Sequence, residues 1–266
     1  LFPLRAMGAK LAFTEQGPVI EAPKSVQDLK KLKSKFDPKS ETPAILGALG
    51  RLRAEVSKEK AVLGFSGAPF TMLSYLLEGK LTKELKVMKR WMAEEPKVVH
   101  EWLSFFADSL GIYLDEQAAA GADAVQLFDT WAGALSPQDF EEFALPYARK
   151  ALSVVTVPSI YYVNGVAGIL QQAASVGAQC LSIDWRMQLS EARKQISHVT
   201  ALQGNLDPYA LLLPKDKIRE RVFAMCDSYG RGPGHIVNLG HGIVPEISED
   251  AVQVFVESVQ EWSAKF

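Results

Sequence analysis

The sequence has few of the features that mark several large classes of protein. It contains 2 cysteines in 266 residues, Cys180 and Cys226, which cannot build a disulfide framework or a CxxC redox or zinc site. No apolar run approaches the ~20 residues of a membrane-spanning helix, so a soluble protein without a membrane span is expected. The net charge of -2 leaves no basic excess for phosphates, so no nucleic-acid partner is predicted.

What the chain does contain is a series of short apolar runs rich in Val, Ile and Phe. They lie at 61–66, 124–129, 158–163, 179–184, 199–203 and 235–239. Because they lack strict polar alternation, they are typical of strands buried on both faces. Helical patterns separate them, for example at 96–120, 137–153, 169–176 and 249–264. This alternation predicts parallel strands joined by crossover helices.

The number of strand and helix units favours one fold within the α/β class. No GxGxxG follows the first run, so a distorted (β/α)8 TIM-type barrel is favoured over a dinucleotide-binding sheet. Residues 1–60 contain helical patterns at 26–35 and 43–56 but no convincing first strand of the barrel. We therefore expect a single barrel domain over residues 1–266 that is N-terminally incomplete, with its first strand upstream of Leu1.

Candidate functional residues follow from the expected carboxyl ends of the strands, where barrel active sites lie. His241 stands between two glycines, on a backbone bare enough for a ligand to approach. The glycine-rich segment 64–69 offers backbone donors for a carboxylate, and the Tyr75 hydroxyl can point back toward this strand mouth. The other strand-end candidates are Phe65, Ser66, Phe128, Asp129, Thr130, Asn164, Asp184, Asn205 and Asp207.

Structural interpretations of the same residues stay open. His241 can be a satisfied structural histidine, Tyr75 a packed helix residue and Thr130 a helix cap. Asp184 and Asp207 are expected to cap helices or to accept hydrogen bonds from backbone amides. No nucleophile elbow, HExxH or P-loop is present, and no cysteine lies beside a histidine as a metal site would need.

Five short segments stand out when they are taken together. They are GFSGAPFT (64–71), YLLEG (75–79), QLFDTWAG (126–133), LQGNLDP (202–208) and NLGHG (238–242). Each is weak alone, but they occur in the expected order, and together they resemble the uroporphyrinogen decarboxylases in a resemblance that runs from about Leu4 to Trp262.

The resemblance implies an enzyme, a carboxy-lyase of haem and chlorophyll biosynthesis. The family removes carbon dioxide from the four acetate side chains of uroporphyrinogen III to give coproporphyrinogen III, without a cofactor or metal, usually as a homodimer. By motif, Tyr75, Thr130 and His241 are implied to contact the substrate, with Tyr75 and His241 catalytic. Phe65 and Phe128 resemble the apolar wall against the macrocycle. A cytoplasmic location is expected, with the plastid stroma as the alternative.

The sequence departs from the family pattern at its beginning. The family has an aspartate in a segment whose final leucine matches Leu1, and arginines further upstream. These groups are therefore expected ahead of the first residue. They would supply the main electrostatic stabiliser and the main carboxylate clamps of the site.

Two other functions remain as alternatives. A corrinoid-dependent methyltransferase of the same superfamily would need histidine and cysteine zinc ligands at strand ends, which Cys180 and Cys226 do not suggest. A non-catalytic tetrapyrrole-binding relative would keep the pocket wall and lack the charged centre.

Overall fold

The computed structural model describes residues 2–14, 17–32, 36–80, 82, 84–196, 199 and 201–265. Its strands are β1 (Leu11–Thr14), β2 (Gly17–Ile20), β3 (Leu63–Gly67), β4 (Ala124–Asp129), β5 (Ser159–Val163), β6 (Cys180–Ile183), β7 (Ala201–Leu206) and β8 (His235–Leu239). Its α-helices are α1 (Phe2–Ala6), α2 (Val26–Leu29), α3 (Pro38–Glu41), α4 (Pro43–Glu55), α5 (Pro69–Glu78), α6 (Lys86–Glu94), α7 (Pro96–Ala119), α8 (Pro137–Phe143), α9 (Leu145–Leu152), α10 (Leu170–Ala174), α11 (Leu189–Gln195), α12 (Lys215–Tyr229) and α13 (Glu249–Ser263). Short 3₁₀ helices follow three of the strands, at Ala132–Ala134, Val166–Ile169 and Pro208–Leu212.

Strands β3 to β8 form one parallel sheet in sequential order. Every residue of β5 and β6, the two central strands, is buried, as expected of parallel strands that are covered on both faces. The α/β class and the alternation of strand and helix are thus confirmed. The strand predicted at 199–203 begins at Ala201 and continues to Leu206, while Thr200 lies outside the described residues.

The two ends of this sheet, β3 and β8, have no strand on their outer edges among the described residues. Their inner apolar side chains are correspondingly open, with Leu63 45%, Phe65 62% and Ile236 43% exposed. On β3, the Gln117 side chain of α7 accepts a hydrogen bond from Phe65 N at 2.9 Å and donates to Phe65 O at 3.1 Å. The expected first barrel strand, upstream of Leu1, stays a prediction.

The antiparallel hairpin of β1 and β2 was not predicted from the sequence. Each strand has only four residues, and β2 includes Pro18, which weakens a strand signal. Tertiary contacts support the hairpin instead, because Ile20 N donates to Gly79 O at 2.6 Å at the end of α5. The hairpin lies outside the main sheet and does not supply the first barrel strand.

Three predicted helices are shorter or broken. The 26–35 pattern gives a helix only over Val26–Leu29, and a turn follows where closely spaced lysines repel one another. Residues 33–35 lie outside the described part of the chain. The 137–153 pattern is interrupted at Ala144, since Pro146 has no N–H to continue the ladder and begins a new helix instead. The 169–176 pattern begins as the 3₁₀ helix at Val166–Ile169 and becomes α-helical only at Leu170.

One hydrophobic cluster joins the helices to the sheet, and Phe70, Phe106, Phe140 and Tyr161 are fully buried within it. A polar layer crosses the interior of the sheet, where Gln203 Nε2 donates to Gln126 Oε1 at 3.2 Å and to Ser182 Oγ at 2.9 Å. Within the described ranges, no helix is sufficiently long and apolar to span a bilayer.

Candidate active site

A cleft of about 690 Å³ opens at the carboxyl ends of the parallel strands. Its described lining residues come from the turns after β4, β5, β6 and β8 and from the segment before α6. They are Thr82, Leu85, Thr130, Trp131, Gly133, Ala134, Asn164, Gly165, Arg186 and His241. A larger surface cleft of about 930 Å³ lies between residues 22–27 and α6, away from the strand ends. We place the site in the smaller cleft, because the active sites of barrel enzymes are built from the turns at the carboxyl ends of the strands.

His241 reaches this cleft from the turn after β8, and its ring stacks on Tyr162 of β5 with centroids 6.0 Å apart. The Tyr162 hydroxyl donates to the Gly240 carbonyl at 2.8 Å and lies 3.1 Å from His241 Nδ1. Since the hydroxyl proton is used by Gly240, we assign the imidazole proton to Nδ1, which leaves Nε2 as an acceptor.

Glycine is required beside this histidine. A Cβ on Gly240 would lie 2.6 Å from Trp185 N, so a larger residue would push the β8 turn away from the end of β6. Partial burial lowers the pKa of His241, the positive charge of Arg186 lowers it further, and Asp184 opposes both effects. His241 is therefore neutral at pH 7 and able to accept a proton.

An aromatic row, formed by Phe65, Phe128, Tyr162 and His241, crosses the strand ends. Phe65 and Phe128 meet edge to face at 6.0 Å, and Phe128 and Tyr162 meet at 5.7 Å. Phe65 is 62% exposed, and it can offer its ring to a flat apolar ligand. The predicted apolar wall residues thus lie in one continuous row with His241, although their contact with substrate stays a prediction.

Tyr75 lies on α5 directly behind the cleft. Its ring stacks on Trp131 at 5.2 Å with an interplanar angle of 3°, and its hydroxyl donates to the Pro18 carbonyl of the hairpin at 2.6 Å. Burial raises the pKa of this phenol. Tyr75 is 6% exposed and therefore supports the cleft wall through Trp131, with its hydroxyl tied to the hairpin.

Asp129 ends β4 and is completely buried beneath the turn that carries Thr130 and Trp131. Thr71 Oγ1 donates to its Oδ1 at 2.8 Å, and the Tyr161 hydroxyl donates to its Oδ2 at 2.7 Å. Thr71 Oγ1 also accepts from Trp131 N at 3.3 Å. Burial raises the pKa of Asp129 to about 6, against the hydrogen bonds from Tyr161 and Thr71 that lower it.

The backbone donors predicted for an anion at segment 64–69 are partly used within the protein. Ala68 N donates to the Phe128 carbonyl at 2.7 Å, and the nearby Thr71 hydroxyl is held by Asp129. The anion-binding character expected of this segment is therefore reduced. Asp207 accepts from Tyr209 N at 3.0 Å and Asp184 accepts from Arg186 N at 3.1 Å, which confirms their predicted bonds to backbone amides.

Arg186, which was not among the sequence-based candidates, faces the cleft from the turn after β6. Its Nη1 donates to Asp184 Oδ2 at 2.6 Å and to Asn164 Oδ1 at 2.9 Å, and its guanidinium lies over the Trp185 ring at 4.3 Å. Asp184 is fully buried and also accepts a hydrogen bond from Gly165 N. The sequence signal that could have identified Arg186 is a cationic residue two positions after an aspartate at a predicted strand end.

The cysteines are poor candidates for a metal or redox site. Both are buried, and burial raises the pKa of Cys180 to about 12 and that of Cys226 to about 11. A thiolate ligand is therefore disfavoured at both positions. In the described part of the chain, no group of three or more His, Cys, Asp or Glu residues is arranged to hold a metal ion.

Solved structures with similar backbones include a methyltransferase and a methionine synthase. A methyltransferase from Methanosarcina mazei superimposes with a TM-score of 0.85 at 22% identity, covering 98% of this chain and 78% of that chain. A B12-independent methionine synthase from Shewanella sp. W3-18-1 gives a TM-score of 0.63 at 10% identity, covering 96% and 73%. At these identities the likeness concerns the fold alone.

Sequence relatives are more specific. The model of the family described as uroporphyrinogen decarboxylase (URO-D) matches residues 1–262. The uroporphyrinogen decarboxylase of Synechocystis sp. is 39% identical over 267 residues, which cover 98% of this chain and 76% of the relative. That of Carboxydothermus hydrogenoformans is 41% identical over 269 residues, covering 99% and 77%. The chain therefore belongs to the uroporphyrinogen decarboxylase family.

Proposed function

We propose that the protein removes carbon dioxide from the four acetate side chains of uroporphyrinogen III to give coproporphyrinogen III. The observation that carries this proposal is the family match over residues 1–262, together with identities near 40% to curated decarboxylases over almost the whole chain. The aromatic row and the cleft beside it provide a concave site at the strand ends with both apolar and polar walls, as a polycarboxylated macrocycle needs.

The chemistry can proceed with protein side chains alone. Protonation of a pyrrole carbon makes the ring an electron sink, so the C–C bond electrons of the acetate flow into the ring as carbon dioxide leaves. A proton delivered to the exocyclic carbon then gives the methyl group, and loss of the first proton from the ring carbon restores the neutral pyrrole. The cationic intermediate needs a nearby anion.

Neither internal aspartate at the site suits that role. Asp129 is enclosed and bonded to Thr71 and Tyr161, and Asp184 is paired with Arg186. The anion of this scheme is therefore assigned to neither Asp129 nor Asp184. In this scheme His241 exchanges protons or orients the substrate, Thr130 binds substrate, Tyr75 acts in catalysis at the wall behind Trp131, and Phe65 and Phe128 cover the macrocycle.

His241→Asn is expected to lower turnover by ~10-fold or more while preserving the fold, because positioned acid–base or orienting groups commonly contribute effects of at least this size. The measurement is kcat for coproporphyrinogen formation, with circular dichroism as the check on folding. His100 provides a matched control, since it lies outside the cleft and contacts Tyr147 at 2.6 Å. His100→Asn is expected to keep parental turnover, and parental turnover in His241→Asn would remove that residue from the mechanism.

Tyr75→Phe is likewise expected to lower turnover by ~10-fold or more. The variant keeps the ring that stacks on Trp131 but loses the hydroxyl that bonds to the Pro18 carbonyl, so the fold should be retained. Steady-state kinetics and thermal unfolding measure the two effects separately. A variant with normal kcat would show that this hydroxyl has no catalytic part.

The function itself is tested by incubating the protein, expressed from its complete gene, with uroporphyrinogen III under anaerobic conditions. Chromatography of the oxidised products is expected to show porphyrins with progressively fewer carboxylates, ending at coproporphyrin, with release of carbon dioxide. Tight porphyrin binding without decarboxylation would favour the tetrapyrrole-binding alternative. Stoichiometric zinc with methyl transfer from a corrinoid would favour the methyltransferase alternative.

A homodimer and a cytoplasmic location, or the plastid stroma, also belong to this proposal. The family resemblance supports the dimer, and two buried unpaired thiols fit a reducing compartment. Sedimentation equilibrium measures the oligomeric state directly.

A further inference from the structure

Among the described residues that line the strand-end cleft, one side chain carries a charge. Arg186 is the single Lys or Arg residue among the described lining residues, and no Asp or Glu residue is among them. Its side chain is 50% exposed, whereas its partner Asp184 is fully buried. The cleft therefore presents a cation to a ligand while the balancing anion lies in the protein interior.

The guanidinium is fixed by three contacts that use only part of its hydrogen-bonding capacity. Nη1 is bonded to Asp184 and Asn164, and the planar face rests on Trp185. Among the described residues, Nε and Nη2 donate no hydrogen bond to the protein. A guanidinium held in this way has parallel donors left for a carboxylate, at little further loss of side-chain entropy.

The position of Arg186 relative to the aromatic row makes a carboxylate the expected ligand. Arg186 lines the same cleft as His241, and His241 ends the row that begins at Phe65. A macrocycle lying on this row would carry its acidic side chains outward from the rings. One of them would reach the cleft beside His241.

We propose that Arg186 binds a side-chain carboxylate of the tetrapyrrole through Nε and Nη2. This inference rests on the proposed function and adds a substrate-binding residue to it. Arg186 then acts in binding and orientation, while proton transfer remains with other groups.

The test measures the affinity of uroporphyrin, a stable oxidised probe, by fluorescence quenching of the wild type, Arg186→Gln and Arg186→Lys. Arg186→Gln is expected to raise Kd by ~10-fold or more, because a charge-assisted bidentate pair is lost. Arg186→Lys keeps the charge next to Asp184 but lacks the fork geometry, so we expect a rise of ~3-fold or more. Salt should weaken wild-type binding more than binding to Arg186→Gln.

Arg193→Gln is the matched control. Arg193 also stacks on an aromatic ring, Tyr229 at 4.4 Å, and donates to a protein oxygen, Tyr229 O at 3.0 Å, but it does not line the cleft. Its substitution is expected to leave Kd unchanged. In the decarboxylation assay, Arg186→Gln should raise KM by ~10-fold with kcat within ~3-fold of the parent, a split that a purely structural role would not give.

Arg186→Gln leaves Asp184 without its cation and can therefore unfold the turn, in which case Arg186→Lys at matched thermal stability decides the result. Wild-type Kd and KM in the folded variants would overturn the assignment of Arg186 while leaving the decarboxylase proposal intact. Failure of the wild type itself to bind uroporphyrin or to decarboxylate uroporphyrinogen would instead overturn the proposed function.

Coproporphyrin, which keeps only propionate side chains, distinguishes the carboxylate that Arg186 holds. A parallel loss of affinity for both porphyrins in Arg186→Gln identifies a propionate. A loss confined to uroporphyrin identifies an acetate.

Discussion

Gly133→Ala is expected to destabilise the protein by about 3 kcal/mol or more, at the upper end of overpacking effects. A Cβ at this position would lie 1.9 Å from the carbonyl oxygen of Asn164 and 2.9 Å from its carbonyl carbon. Both are backbone atoms, so no side-chain rotation can relieve the clash. The turns after β4 and β5 would have to separate, and both turns line the cleft.

Because these turns carry Trp131 and Asn164, activity should fall together with stability. We expect kcat/KM to drop by ~100-fold, as displacements near 1 Å in a catalytic site can produce. Gly168→Ala is the control, since its Cβ would meet nothing within 4 Å, and its stability should stay within about 0.5 kcal/mol of the parent. Urea unfolding and steady-state kinetics measure both effects. Parental stability in Gly133→Ala would mean that the two turns are not in close contact.

Asp129→Asn is expected to change the pH dependence of stability by about 3 kcal/mol. Burial raises the pKa of Asp129 from 3.8 to about 6, so the folded state holds this proton more tightly than the unfolded state does. The contribution of Asp129 is therefore fully present below pH ~4 and is lost as the pH rises to ~6. The asparagine amide cannot titrate, so the variant does not lose stability in this way as the pH rises.

The measurement is the free energy of unfolding in urea for both proteins between pH ~2 and pH ~7. The wild-type value minus the variant value should fall by about 3 kcal/mol across this range and then become constant. Asp123→Asn gives a control of opposite sign, because hydrogen bonds from Val62 N and Arg53 lower the pKa of Asp123. When the wild type is compared with Asp123→Asn, the greater free energy of unfolding of the wild type should be lost as the pH falls. A flat difference for Asp129→Asn would show that this carboxyl titrates normally.

The parallel strands could be predicted from the sequence because burial on both faces leaves a plain mark, a short run of Val, Ile and Phe. The helix break at Ala144 was missed because the apolar periodicity continues through Pro146, although the missing N–H of this proline is a signal that the sequence contains. The β1–β2 hairpin depends on Gly79 O and on the Tyr75 hydroxyl, contacts with residues about sixty positions away.

The candidate site was also predictable from the sequence only in part. His241 was marked by its flanking glycines, and the structure gives one of these a role, because only glycine fits at 240 against Trp185. Asp129 was recognised by position only, since its partners Thr71 and Tyr161 are 58 and 32 residues away in the chain. Arg186 was missed because an exposed arginine after a strand is common, and its anchoring by Asn164 and Asp184 exists only in three dimensions.

The hydrogen bonds of Asp184 restrict the motion of the cleft rim. Its carboxylate accepts from Gly165 N, Arg186 N and Arg186 Nη1, and its carbonyl accepts from Asn205 Nδ2 at 2.8 Å. One residue thus ties the turns after β5 and β6 to the end of β7, so these three segments cannot move independently. This side of the rim is preorganised, so ligand binding should leave the hydrogen-exchange protection of its backbone amides almost unchanged. Differences in ligand selectivity between relatives should then arise from side-chain substitutions on an unchanged backbone.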